Sequence, residues 1–118
     1  MPNNPPTDPS NPPNGTYNST CGTAFSSWDG SFTYTNGTIV YTRTSPSHTF
    51  PSTSNTSNGN AIVFDLTDTS VTPNVTVQFN GPAFAYTGPN DNQAQYSGNC
   101  HNKGPGAGED GWTATQTG

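Results

Sequence analysis

Apolar and polar residues alternate over short stretches of this chain, and no long window repeats at helical spacing because Pro and Gly interrupt each one. The clearest stretch runs from Ser31 to Thr42, with Asn36-Gly37 at its centre. Asn-Gly between two alternating runs predicts a two-residue hairpin turn, since both residues tolerate positive φ. That loop length sets Thr35 opposite Thr38, Tyr34 opposite Ile39 and Phe32 opposite Tyr41. Phe32, Tyr34, Ile39 and Tyr41 then face a core, and Thr33, Thr35, Thr38, Val40 and Thr42 face water. Residues 61–67 predict a strand with Ile62, Phe64 and Leu66 inward, and residues 74–80 one with Val75, Val77 and Phe79 inward. A short strand at 83–86 and weaker ones at 23–27 and 112–117 complete the expectation. Residues 45–60, 88–99 and 103–111 read as loops. The pattern predicts an all-β fold, a small antiparallel β-sandwich (immunoglobulin-like or jelly-roll-like) or a barrel.

The first twenty residues carry six prolines among Asn, Ser, Thr and Asp. They predict an extended Pro-rich linker over 1–20, a cysteine-bracketed β module over 21–102, and a Gly-rich C-terminal segment over 103–118. Thr, Ser, Asn, Gly and Pro together make up 72 of the 118 residues, and only 26% are hydrophobic. Disorder is the first thought for such a chain, but 13 aromatic residues supply large side chains to bury.

Seven carboxylates against Arg43 and Lys103 give a net charge of −5. Without a Lys/Arg cluster the chain lacks the means to grip phosphates, which excludes nucleic acid as a partner. The apolar runs at 61–64 and 83–86 are far shorter than the ~20 residues of a membrane span. Met1-Pro2 followed by Asn is not a charged-then-apolar leader, so the chain reads as an excised or mature segment. Cys21 and Cys100 bracket most of the aromatic region. A disulfide between them is expected, with a stabilisation of about 4–5 kcal/mol in the chain-entropy picture. Together these features predict a secreted, extracellular or cell-surface protein. Sequons at Asn14, Asn18, Asn36, Asn55 and Asn74 offer glycosylation sites, although a chain so rich in Asn, Ser and Thr produces several by chance.

Candidates for chemistry are few. The carboxylates are scattered, His48 and His101 are the only imidazoles, and no nucleophile elbow is present, so the chain reads as a non-enzyme with no required cofactor. Asp65 and Asp68 are the nearest approach to a calcium site. Rings offer more. Trp28 and Trp112 each sit beside an acidic residue or Gly, and Tyr96 lies in an amide-rich stretch. Trp28, Asp29, Gln93, Tyr96 and Trp112 are therefore the candidate surface for a sugar, whose C–H faces stack on exposed rings.

A Pro-rich spacer, a low-charge Thr/Asn/Gly-rich β module and cysteines near its ends resemble the carbohydrate-binding modules of secreted polysaccharide-degrading enzymes. The resemblance covers 21–100, and it implies a non-catalytic β-sandwich that binds a neutral glycan and neighbours other modules. The rival is a structural surface or fibre subunit that self-associates by strand addition. A minor alternative is ice binding through Thr33, Thr35, Thr38 and Thr42.

Overall fold

The computed structural model describes residues 14–45, 47–53, 61–87, 93–104 and 108–118. Its strands are β1 Gly15–Cys21, β2 Gly30–Thr35, β3 Thr38–Arg43, β4 His48–Thr53, β5 Ile62–Asp68, β6 Val75–Thr87, β7 Gln93–Gly104 and β8 Glu109–Gln116, with a 3₁₀ segment, Thr23–Trp28, between β1 and β2. All pair antiparallel in one sheet ordered β4-β3-β2-β1-β8-β7-β6-β5. The sheet curls until its edge strands, β4 and β5, meet. No backbone ladder joins them; the Ser52 hydroxyl donates to the Asp65 carbonyl (2.7 Å), and Arg43 of β3 reaches Asp68 of β5 (3.0 Å). The result is a nearly closed barrel. It is a single sheet where a two-sheet sandwich was expected, because β1 pairs with β2 on one side and β8 on the other.

The hairpin forms in the expected register, and Asn36 and Gly37 both have positive φ, 50° and 93°. A Cβ at Gly37 would meet nothing within 4 Å, so only its backbone conformation resists substitution. Gly37→Val is expected to lower stability by about 1–3 kcal/mol, the usual cost of holding a β-branched residue at positive φ. Chemical denaturation measures it, and an unchanged midpoint would contradict the turn.

Elsewhere the strands outrun the pattern. β1 begins at Gly15, inside the expected linker, because Tyr17, Ser19 and Cys21 alternate inward while Asn18 and Thr20 face water. Residues 23–27 are not a strand. Phe25 and Trp28, three apart, share one side of the 3₁₀ segment, and both are buried. β4 arises within the expected loop 45–60; Phe50 is its buried ring, and Pro51 is accommodated on an edge strand. β6 runs through Gly81-Pro82 by means of a register shift between Asn80 and Ala83. Opposite that shift, a Cβ on Gly98 would collide with the Asn80 carbonyl, so β7 needs glycine there. β7 itself occupies expected loop residues. Its buried inward set includes small Ala94 and Cys100, which leaves little apolar signature.

Candidate functional site

The barrel interior is filled with rings. Phe32 stacks on Tyr17 (5.0 Å), Phe64 on Phe79 (5.1 Å), and Trp112 packs against Phe79 (5.5 Å), Phe64 (5.8 Å) and Phe32 (6.3 Å). Trp112 is 2% exposed, Trp28 7% and Tyr96 0%. The three rings expected on the surface are thus core residues, and the expected aromatic sugar platform is not assembled. The two amide and acid candidates are also committed to the fold. Asp29 accepts from the Cys21 N–H (2.7 Å), and the Gln93 side chain donates to the Gln116 carbonyl (3.2 Å).

Polar atoms inside the barrel are wired together. Trp112 Nε1–H donates to Ser19 Oγ (2.7 Å), Ser19 lies 2.8 Å from Tyr41 Oη, and the Tyr41 hydroxyl donates to the Trp28 carbonyl. A phenol has one proton, so Ser19 donates to Tyr41, and a one-way chain links β8, β1, β3 and the 3₁₀ segment. At the end of the barrel away from that segment, the rings of Tyr17 and Tyr96 lie 5.9 Å apart, with Tyr34 and Tyr86 close by. Burial pushes the Tyr17, Tyr41 and Tyr96 phenols well above their ordinary value, so these hydroxyls stay protonated.

The carboxylates do not converge. Asp65 and Asp68 are three apart on β5 and so face opposite sides of the sheet. Asp65 meets Lys103 (2.9 Å) and Gln78 (3.1 Å) outside, and Asp68 meets Arg43 inside. The expected calcium pair is split by strand parity. Among the described residues, no three His, Cys, Asp or Glu side chains group as metal ligands, and no helix is long and apolar enough to cross a membrane.

What β4 to β1 present outward is an uncharged wall, mostly of hydroxyl and amide side chains, with Val40 and Pro51 exposed within it. Cross-strand pairing lines up Thr49, Thr42, Ser31, Asn18, Thr115 and Gln95 in one row from β4 to β7. A parallel row holds Pro51, Val40, Thr33 and Thr16, and a third pairs Thr38 with Thr35. Along the outward positions of β1 to β4, the described residues include no Asp, Glu, Lys or Arg, since Arg43 points inward. The charged groups Asp65, Lys103 and Glu109 gather instead on β5, β7 and the start of β8. Of the sequons, Asn18 stands exposed in the middle of the wall and Asn74 is exposed before β6. Asn14 and Asn36 bond to each other (2.9 and 3.1 Å), and Asn55 lies outside the described residues. Comparisons with protein-family models, curated proteins and solved structures return no match.

Proposed function

We propose that this barrel is a non-catalytic, extracellular binding module for a neutral, hydroxyl-rich polysaccharide, engaged on the outer wall of β4, β3, β2, β1 and β8. The observation that carries this reading is the charge-free row of hydroxyl and amide side chains spanning those strands. Adjacent strands lie ~4.8 Å apart, so each row offers hydrogen-bonding groups at a repeating short interval along its length. Each exposed hydrogen bond contributes little net free energy in water, so affinity must come from many contacts at once. The ligand is therefore an extended or insoluble polymer, and free mono- or disaccharides are expected to bind too weakly to detect.

Co-sedimentation with a panel of insoluble neutral polysaccharides tests this, using protein made without N-glycans so that Asn18 is bare. Retention by at least one polymer is expected, nearly unchanged when salt is raised, because no ion pair contributes. Retention by none, or retention abolished by salt, would contradict the reading. The self-association reading rests on the β4 and β5 edges, which lack a backbone ladder between them. These edges already face each other, so an added strand must first part the Ser52–Asp65 contact. A monomeric mass at raised concentration favours the binding module, and a concentration-dependent polymer favours the subunit. The Thr rows reach beyond a single hairpin, which also supports the ice-binding alternative; thermal hysteresis in the absence of polysaccharide retention would select it.

A further inference from the structure

Both cysteines are buried free thiols on the two strands that flank β8. Cys21 ends β1 opposite Trp112, and Gly22 carries the pairing one position further, donating its N–H to the Gly111 carbonyl (2.9 Å), before the 3₁₀ segment begins at Thr23. From the other flank of β8, Cys100 Sγ lies over the same backbone, 3.8 Å from the Asp110 carbonyl oxygen and 4.0 Å from that of Gly111. Cys21 and Cys100 thus converge on the Gly111 carbonyl, close enough that the ionisation of each thiol depends on the other. The 3₁₀ segment is latched, because the Asp110 carboxylate accepts from the Ala24 N–H (3.0 Å) and Asp29 accepts from the Cys21 N–H (2.7 Å).

We propose that Cys21 and Cys100 form a covered, oxidisable dithiol that closes into a disulfide across β8, with the Thr23–Trp28 segment as the cover that governs access. The oxidant is a small-molecule disulfide such as oxidised glutathione. The Cys100 thiolate attacks one sulfur of that disulfide and expels a thiolate, leaving a mixed disulfide on Cys100. The Cys21 thiol then loses its proton and attacks the Cys100 sulfur, expelling the second small thiolate. One bond between protein sulfurs is formed, one small disulfide is reduced, and the two protein protons end on the two released thiols. Cys100 is suited to the first step because the neighbouring Cys21 thiol favours its thiolate. Cys21 ionises less readily, chiefly through its Cys100 neighbour and its burial, with the Asp29 and Asp110 charges adding to the effect, so it is the resolving thiol.

The test refolds the full chain in a glutathione redox buffer and measures intact mass without reduction. The expected product is a monomer lighter by two hydrogens, with no alkylatable thiol after denaturation and a Tm raised by roughly 10 °C over the reduced protein. Single variants Cys21→Ser and Cys100→Ser should instead carry a stable glutathione adduct on the remaining cysteine. Two alkylatable thiols, persistent adducts on the parent, or an intermolecular link would overturn the pairing. In the folded state, Asp110→Ala should close faster than the parent because the latch to Ala24 is gone. Equal rates would remove the 3₁₀ segment from its role as cover.

Discussion

Replacing Trp112 by Ala is expected to destabilise the barrel by about 3–5 kcal/mol, the range for removing a large buried ring. The indole packs against Phe32, Phe64 and Phe79, so its loss leaves a void bounded by three rings held on other strands. It also takes away the donor at the head of the Ser19–Tyr41–Trp28 chain, leaving Ser19 Oγ with an unfilled acceptor position. Domains are typically stable by only ~5–15 kcal/mol, so the variant should sit near the edge of folding. Trp112→Phe keeps a ring in the core but gives up the N–H and part of the indole's volume, so a smaller loss of about 1–3 kcal/mol is expected. Denaturant midpoints of the two variants measure both losses. A surface ring would give near-parent midpoints in both.

The second large effect is expected at the seam. Arg43 and Asp68 are both buried, and the guanidinium also lies over the rings of Trp28 (4.8 Å) and Phe50 (5.1 Å). The pair spans β3 and β5, beside the gap between β4 and β5 that no backbone ladder closes. Arg43→Met keeps an apolar stem against those rings and leaves the Asp68 carboxylate with its Ser70 donors but without its counter-charge. The expected loss is about 3–5 kcal/mol, the range for breaking one side of a buried pair. Arg43→Met with Asp68→Leu should regain much of that loss, since no charge is then left behind.

The pH dependence follows from Asp68. The Ser70 hydroxyl (2.5 Å) and backbone N–H (2.9 Å), and then Arg43, hold its pKa at about 2. An unfolded aspartate titrates near ~3.9, so this contribution is complete above that value and disappears as pH falls through about 2. The parent should therefore lose stability over that window, whereas in Arg43→Met the Asp68 pKa moves up toward the unfolded value, so the acid-dependent loss should be smaller and be complete at a higher pH. Denaturant midpoints measured from neutral pH down to pH 2 report both effects. Coincident acid limbs for parent and variant would contradict the role given to Arg43.

The sequence made the β2–β3 hairpin readable because Phe32, Tyr34, Ile39 and Tyr41 are all large and apolar, and Asn36-Gly37 admits one register. β1, β4 and β7 were hidden because their inward positions mix Ser19, Ser52, Ala94, Gly98 and Cys100 with single rings. Such a set has strand parity without a hydrophobic stripe. The misplacement of Trp28, Tyr96 and Trp112 has a related cause. Their polar neighbours in sequence suggested solvent, but strand neighbours point to the opposite face. Gln95 and Ser97 thus say nothing about Tyr96, nor Gly111 and Thr113 about Trp112, while Trp28 turns inward with Phe25 on the 3₁₀ segment. With only 26% hydrophobic residues, an eight-stranded barrel has to fill its interior with the rings it possesses. The outer wall was visible only as one hairpin face, since alignment of Thr49, Thr42, Ser31, Asn18 and Thr115 depends on four pairings among five strands, one of them with the distant β8.

In the function proposed, the rings build the barrel and the uncharged wall outside it meets the ligand. The deciding measurement compares retention on the bound polysaccharide for Thr33→Glu/Thr42→Glu, in mid-wall on β2 and β3, and Thr67→Glu, exposed on β5 beyond the β4 edge of the wall. Exposed substitutions of this kind cost little stability, so both proteins should remain folded by circular dichroism. Two carboxylates placed on the wall must be desolvated against a neutral polymer, so retention of the wall variant should fall at least about tenfold, a loss of ~1.4 kcal/mol, while Thr67→Glu binds as the parent does. Equal retention of both variants, or loss only in Thr67→Glu, would contradict the assignment of the binding face.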